Sequence, residues 1–306
     1  MLTRLFGRVV AAFGVWVAVA AVTFGLTYLV PANPARVLAG AQADPETVAR
    51  IQAQLGLDDP LFVRFGRYLL HALQGDFGNS YVTDQPVFSA ILDRLPATLS
   101  LALGAVCVYL LLGAGLGILG AVKPRSWSAR LGSLFAVAGI SVPSFWIGML
   151  LLFFLAYMLP VFPLGGSGTL AHLVLPSLTL GITGAAVYAR VLRQALGDEL
   201  RKDYIRAARA KGLRETDVVL RHGLRNAALP MVTLLGLDFA SLLGGAILTE
   251  SIFAWPGIGQ QAFAAIDTLD VPMIMGTVLF ASTAIIVLNL CVDLCYQCLD
   301  PRLRSS

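Results

Sequence analysis

Charged residues are scarce in this sequence. Only 13% of its 306 residues are Asp, Glu, Lys or Arg, whereas 57% are hydrophobic. Soluble domains average about 25% charged residues, so the deficit indicates a membrane protein. The net charge of +4 is small and does not imply binding to nucleic acid.

Motifs for hydrolytic chemistry are missing too. None of the lysines follows a glycine, which a phosphate-binding Gly-Lys-Ser/Thr loop requires, so we do not expect this chain to be an ATPase. The histidines His71, His172 and His222 are scattered and form no HExxH pair, and no Gly-x-Ser-x-Gly sequence occurs. We therefore predict no catalytic residues in this chain.

The sequence has four cysteines and no pattern of paired cysteines that predicts disulfides. Cys291, Cys295 and Cys298 have a C-x3-C-x2-C spacing that can hold an iron–sulfur cluster. They fall at i, i+4 and i+7 of the last predicted helix and its exit, however, whereas cluster-binding motifs of this type normally lie on loops that can wrap the metal. We favour packing or lipid-facing residues over a metal site.

Long runs without charge predict six membrane-spanning helices. About 20 apolar residues in a helix cross the hydrocarbon core. The run between Arg130 and Arg190 is too long for one span, and its LPVFPLGGSG sequence, Leu159 to Gly168, divides it in two. The predicted spans cover residues 9–30, 97–122, 131–158, 172–190, 227–248 and 272–294.

The first span has one alternative, a cleaved signal peptide. Its apolar run from Val9 to Val30 is longer than the roughly 7–15 residues of a signal core. It ends in PANP, which is not a small-residue cleavage site. We therefore favour an uncleaved helix.

The distribution of positive charge predicts the orientation. With the N-terminus inside, 17 of the 22 lysines and arginines fall on the inner side. Inner loops of membrane proteins are enriched in these residues, so both termini are predicted to be cytoplasmic. The remaining five lie in the first outer segment: Arg36, Arg50, Arg64, Arg67 and Arg94.

Four regions follow from these boundaries. Residues 1–30 form a tail and the first span, and residues 31–95 form an extracytoplasmic segment of short helices. Residues 96–295 carry five spans and a cytoplasmic loop at 193–226, and residues 296–306 form a cytoplasmic tail. The outer segment is either a partner-binding surface or a solvated cap.

The cytoplasmic loop contains DYIRAARAKG, Asp203 to Gly212, which is basic and rich in alanine. Tyr204, Ala207, Ala208 and Lys211 fall at i, i+3, i+4 and i+7, so they share one helix face. Gly212 suits a left-handed helix end. Positive charge alone would anchor the topology. A face of small residues would also admit another protein, and the composition leaves both interpretations open.

The sequence around this segment resembles one family. DYIRAARAKGL followed by LRHGLRNAALP is similar to the signature loop of ABC-importer permeases, specifically the B-type subunit of the dipeptide, oligopeptide and nickel importer family. Ala207, Ala208 and Gly212 match the general Glu-Ala-Ala-x3-Gly signature, whereas Arg206 replaces its Glu. LGLDDPLFVRFGRYL, GDFGNS, SVPSFWIGMLL and TESIFAWPGIGQ extend the resemblance along nearly the whole chain.

The resemblance implies an all-α type I ABC importer permease fold with a coupling helix that docks into an ATPase subunit. Tyr204, Ala207, Ala208 and Gly212 would seat in the ATPase. Four basic residues would pair with its acids or with lipid phosphates. The implied coupling residues are Asp203, Tyr204, Arg206, Ala207, Ala208, Arg209, Lys211, Gly212, Leu213 and Arg214.

The resemblance also implies the partners and location. It predicts a heterodimer with a second permease, two ATP-binding cassette subunits that bind ATP and Mg, and an extracytoplasmic substrate-binding protein, all at a bacterial inner membrane. No cofactor is expected in this chain. The leading cargo is a dipeptide or oligopeptide, and glutathione, haem or a nickel chelate are alternatives. A secondary transporter and a membrane scaffold compete as functions, although both leave the coupling loop unexplained.

Further residues attract attention within or beside the predicted spans. Asp238 lies in the fifth span, where a charge is costly, so it either lines the translocation path or forms a bond between helices. Asp293, near the end of the sixth, is expected to be structural. Trp255, Pro256 and Gly257 are expected to face the binding protein.

Overall fold

The computed structural model describes residues 2–29, 34–40, 43–243 and 246–299. These residues form helices joined by turns, and within them the only β-type pairing is an isolated bridge between Asn79 and Pro86. In chain order the helices are α1 (Leu2–Leu29), α2 (Pro34–Ala39), α3 (Pro45–Gln54), α4 (Leu61–Leu73), α5 (Val87–Val122), α6 (Trp127–Ser141), α7 (Ser144–Met158), α8 (Leu170–Glu199), α9 (Asp203–Ala210), α10 (Glu215–Ala227), α11 (Leu229–Leu243), α12 (Ile247–Ile252), α13 (Ile258–Asp267) and α14 (Val271–Leu299). The all-α prediction is confirmed for the described residues.

By length and composition, four helical segments can cross a membrane: Gly7–Thr27, Val87–Val122, Leu170–Glu199 and Val271–Cys291. The predicted third span is divided into α6 and α7, whereas the predicted fifth span, 227–248, starts at the break between α10 and α11. The axes of α6 and α7 differ in direction by 109°, and the axes of α10 and α11 differ by 48°. The described residues therefore contain four candidate spans, or up to six if each bent pair counts as one.

Proline explains the sharper bend. Val142 has φ −97° and ψ 128°, an extended backbone between α6 and α7. The ring of Pro143 disfavours a helical conformation for the residue before it. Pro96 and Pro176 instead lie inside α5 and α8. The second span consequently begins at Val87, ten residues before the predicted start.

The chain divides into two compact units. The first comprises Met1–Thr98, Leu243–Ile247 and Pro256–Val287. Its core joins Ala20, Phe77, Ile91, Ile258 and Leu279, so apolar residues distant in sequence pack together. The second unit comprises Leu99–Leu242, Leu248–Trp255 and Leu288–Ser306.

In the second unit, α5 and α8 approach closely through glycines. A Cβ added at Gly113 would lie 2.7 Å from Cβ of Tyr188, and one at Gly117 would lie 2.9 Å from Cβ of Leu192. Small residues let membrane helices pack at short distance, where van der Waals contact and not the hydrophobic effect holds them together. The glycines therefore define this interface, and α5 contains a π-helical turn, Tyr109–Ala114, beside it.

Candidate functional site

The helix at the centre of the predicted coupling loop, α9, is held from one side by apolar packing. Ile205 is fully buried and Ala208 is 8% exposed, and both pack with Val218 and Leu200. The remaining residues of α9 are exposed. The helix thus packs against α10, which is the return leg of the loop, and its other side is exposed.

Gly212 makes the turn that ends α9. Its φ of +79° is left-handed, a conformation in which a Cβ is strained, and its N–H donates to the carbonyl of Arg209 at 2.9 Å. No heavy atom lies within 4 Å of an added Cβ, so the requirement for glycine is conformational and not steric crowding by neighbours. The predicted role of Gly212 as a helix end matches this geometry.

The Tyr204 hydroxyl links three parts of the loop. It donates to Oε2 of Glu199 at 2.6 Å and accepts from Nδ2 of Asn226 at 3.0 Å. Lys202 donates to Oε1 of the same glutamate at 2.5 Å. Tyr204 therefore joins the end of α8 to the end of α10.

Arg209 joins α9 to α10 across the Gly212 turn. Its Nε and Nη2 donate to the two carboxylate oxygens of Glu215 at 3.0 and 2.6 Å. The hydrogen bond lowers the pKa of Glu215 and raises that of Arg209. Arg206 pairs with Asp203 on the same helix. Among the predicted basic residues, this leaves Lys211 and Arg214 exposed and without an ion pair in the described part of the chain.

The structure divides the helix face predicted from the sequence. Tyr204, Ala207 and Lys211 are exposed, and so is Leu213 beyond the turn, whereas Ala208 points into the loop's own apolar cluster. The periodicity identified a face of small residues but carried no information on which side the return leg would cover. Ala208 positions the helix, and Ala207 is the small residue that remains accessible.

Asp238 is held between helices of the second unit. It is half-buried, and its Oδ2 accepts a hydrogen bond from the Tyr188 hydroxyl at 2.8 Å. Tyr188 is fully buried and packs against Tyr109 with ring centroids 5.2 Å apart. The residues that the structure describes form no hydrogen bond with Oδ1 of Asp238. One oxygen is thus structural and the other remains available.

The predicted binding-protein turn is less accessible than its sequence suggests. Trp255 is 5% exposed, Pro256 is half-buried and Gly257 is buried. The backbone N–H of Trp255 donates to the backbone carbonyl of Glu250 at 2.8 Å. The Trp255 side chain is therefore buried in this structure.

The first unit contains a cavity of about 650 Å³ that sequence reasoning did not identify. Its lining includes Arg64, Arg67, His71, Asp76 and Tyr81. Arg67 forms an exposed ion pair with Asp59 at 2.9 Å, and Nδ1 of His71 lies 3.5 Å from the carboxylate of Asp76. The lining therefore combines basic and acidic side chains, most of them from the predicted outer segment.

Asp270 organises the rim of this cavity. It is 3% exposed and accepts from the Ser80 hydroxyl at 2.5 Å and the Tyr81 N–H at 3.0 Å. It also accepts from the Met273 N–H at 3.4 Å, which caps the N-terminus of α14. An aspartate immediately before an apolar helix with Pro272 in its first turn was the sequence signal that could have identified it.

The predicted cysteine stripe lies partly outside the described side chains. Cys107 and Cys291 are free and exposed. The side chains of Asp293, Cys295 and Cys298 are outside the described residues. Within the described part, no group of three metal-ligating residues comes together.

Comparison with known proteins identifies the family. Residues 113–305 match the family described as "Binding-protein-dependent transport system inner membrane component", and residues 1–102 match its N-terminal counterpart, "Binding-prot-dependent transport system membrane comp, N-term". The chain belongs to this family. The resemblance to ABC-importer permeases is thereby confirmed, and the permease is a multi-pass inner-membrane protein.

Curated relatives align with the permease from end to end. The glutathione transport system permease protein GsiC of Salmonella paratyphi A is 44% identical over 304 residues, which are 99% of each chain. GsiC of Escherichia coli K12 is 42% identical over 99% of this chain and 98% of its own. The MetNI methionine ABC transporter structure has a TM-score of 0.53 at 18% identity, covering 69% of this chain and 96% of its own, and supports the fold alone.

Proposed function

We propose that this permease forms one half of the membrane pore of an ATP-driven importer, and that the loop at residues 203–222 couples it to a separate ATPase. The observation that carries the proposal is the construction of α9. Ile205 and Ala208 fix the helix from beneath, and Tyr204 and Arg209 brace it at both ends. A rigid, exposed, basic helix can transmit a displacement, whereas a flexible topology anchor cannot.

The proposed docking residues follow from exposure. Ala207 gives close access for another backbone. Lys211 and Arg214 are exposed and have no ion pair within the described chain, so they are available to acidic residues of the ATPase. The remaining charged residues form ion pairs within the loop, Arg206 with Asp203 and Arg209 with Glu215. Leu213 adds an exposed apolar side chain. Gly212 sets the direction in which the chain leaves the docking helix.

The proposed assembly contains a second, non-identical permease, two ATP-binding cassette subunits that bind ATP and Mg, and an extracytoplasmic binding protein. Each permease chain crosses the membrane six times with both termini in the cytoplasm, so α6 and α7 together count as one span and the fifth span starts near residue 227, after the coupling loop. Residues 31–95 face outward, 96–295 form the pore half and 296–306 form the tail. The cavity lined by Ser80 and Tyr81 lies on the side that meets the binding protein.

The proposed cargo is a dipeptide or an oligopeptide. The relatives named for glutathione transport favour a second candidate, glutathione itself, which is also a short peptide. We propose that Oδ1 of Asp238 lines the path and meets the peptide ammonium. Asp238→Asn should then reduce uptake of peptides with a free amino terminus more than uptake of acetylated ones. Equal effects on both would remove Asp238 from the path.

Affinity purification tests the assembly. The tagged permease, extracted gently from its native membrane, should retain a second membrane permease and ATPases with Walker motifs. Variant Ala207→Leu should reduce recovery of the ATPases without reducing recovery of the second permease. Recovery of a folded chain that transports peptide alone, without ATP, would overturn the proposal in favour of a secondary transporter.

A further inference from the structure

A second cavity, of about 220 Å³, lies in the second unit between α5, α6 and α8. It is smaller than the roughly 300–1,000 Å³ typical of pockets for drug-sized ligands, so a peptide does not fit it. Its walls are formed mainly by small and apolar residues, including Gly120, Gly132 and Val137. Two arginines complete the lining, Arg190 and Arg193, and no acidic residue does.

Arg193 is built into the wall of this cavity. It is half-buried, and its side chain crosses α5 at Gly120, where an added Cβ would lie 2.9 Å from Cδ of the arginine. Its Nη1 donates to the Ser133 hydroxyl on α6, and that hydroxyl donates to the carbonyl of Ala129 at 2.8 Å. The guanidinium is therefore held in place by a neutral partner.

The charge of the arginines is not compensated inside the described chain. Neither Arg190 nor Arg193 forms an ion pair with a described residue, although Arg193 is partly removed from water. A charge at a membrane helix interface is costly without an opposite charge. Arg190 is exposed and Arg193 is half-buried, so an anion from outside the chain can reach both guanidinium groups and would offset this cost.

The surroundings of the cavity indicate a membrane interface. Trp127, at the start of α6, is 74% exposed, and the Arg130 guanidinium lies 5.9 Å from the centroid of its ring. Tryptophan concentrates at the level of lipid headgroups. The turn that joins α5 to α6 adds Lys123 and Arg125, both exposed. Basic pockets between membrane helices are known to hold anionic headgroups.

We propose that this cavity binds the phosphate headgroup of an anionic phospholipid from the surrounding leaflet. Arg190 and Arg193 bind the phosphate oxygens, and Leu116 and Val137 contact the first part of an acyl chain. The site ties α6 to the end of α8, from which the loop carrying α9 continues. This inference goes beyond the proposed import function and requires only that the helices lie in a membrane.

The proposal is tested on the assembled transporter in nanodiscs of phosphatidylcholine with or without phosphatidylglycerol. Native mass spectrometry should show phosphatidylglycerol retained by the wild type. Arg190→Gln with Arg193→Gln should weaken this retention by about 30-fold, because each basic residue near an anionic surface contributes about a factor of five. Arg190→Lys with Arg193→Lys should retain most of it.

A matched pair, Arg201→Gln with Arg225→Gln, removes the same charge from exposed positions outside the cavity and should leave retention unchanged. If the two double variants lose the same amount of phosphatidylglycerol, retention depends on net charge alone and the proposal is overturned. If the Arg190→Gln, Arg193→Gln variant does not fold, thermal stability of the wild type tests the proposal. No gain in thermal stability from phosphatidylglycerol, or the same gain from inorganic phosphate in phosphatidylcholine, would exclude a lipid site.

Discussion

Arg209 and Glu215 form a two-point ion pair that closes the turn at Gly212, with donor–acceptor distances of 3.0 and 2.6 Å. Two parallel hydrogen bonds fix an angle as well as a distance. The side chains are 40% and 52% exposed, so the pair contributes at most about 1 kcal/mol to the free energy of unfolding. Its main consequence is the fixed orientation of α9 on α10.

Loss of this ion pair should uncouple the transporter without unfolding it. Glu215→Gln should lower the free energy of unfolding by less than about 1 kcal/mol. The number of peptides imported per ATP hydrolysed should fall several-fold, because α9 loses its brace. Asp217→Asn is the control, since its 3.5 Å pair with Arg221 lies within α10. Similar coupling ratios in the two variants would contradict the assigned role.

The same pair predicts a pH dependence. Arg209 lowers the folded-state pKa of Glu215 below its ordinary value of 4.5. A lowered folded pKa gives a stabilising contribution that is complete above the ordinary value and lost as the pH falls through the folded value. Hydrogen-exchange protection of α9, corrected for intrinsic rates, should stay level from about pH 8 to 5 and decrease only below. A decrease at higher pH, or a similar decrease in Glu215→Gln, would refute this.

Two glycines of the loop region should respond in opposite directions to the same substitution. Gly212→Ala forces a side chain into the left-handed region at φ +79° and should destabilise the loop by about 1 kcal/mol. Gly197→Ala, inside α8 with no atom within 4 Å of the new Cβ, should stabilise by up to about 1 kcal/mol. Thermal unfolding checks both, and changes of the same sign would contradict the conformational argument.

Ala207 and Ala208 should separate docking from packing. Ala208→Leu overfills the cluster of Ile205 and Val218 and should cost about 1–3 kcal/mol of stability. Ala207→Leu places its side chain in solvent, so stability should be unchanged while ATPase association weakens. A binding assay with the purified ATPases measures the second effect. Full ATPase affinity in a folded Ala207→Leu permease would exclude this residue from the docking surface.

The close approach of α5 and α8 gives a test in the membrane core. Gly113→Ala would bring the new Cβ to 2.7 Å from Cβ of Tyr188 and 3.0 Å from the carbonyl oxygen of Ala185. The helices must separate, at a cost of about 1–3 kcal/mol. Gly115→Ala, two residues away and facing open space, should be tolerated. Equal melting temperatures for the two variants would show that the interface is not glycine-dependent.

Much of the architecture was predictable from apolar runs and punctuating residues. The runs located every candidate span, because the hydrocarbon core sets the length of a helix. The structural effect of each proline was harder to predict. Pro143 divides the predicted third span, whereas Pro96 lies inside α5. A proline has no N–H, so a helix that contains one leaves a backbone carbonyl without its usual donor. The local sequence does not show where such a carbonyl finds another donor and the helix continues.

The candidate site, likewise, could be predicted only in part. Gly212 and the basic helix were identified because a helix end and a charge pattern are local features. The inward position of Ala208 depends on Val218, which comes from the return leg of the loop. Asp270 organises a turn almost 190 residues earlier in the chain, through Ser80 and Tyr81. Contacts between residues so far apart in sequence depend on tertiary packing, and a single sequence contains no spacing pattern that predicts them.

Peptide uptake by the reconstituted complex tests the central claim most directly. Vesicles would contain this permease with its second permease and ATPases, and the binding protein would be added outside. The account predicts uptake of labelled peptide that requires both ATP and the binding protein, and that Ala207→Leu abolishes without loss of assembled pore. Uptake by this chain alone, driven by a proton gradient without ATP, would contradict it.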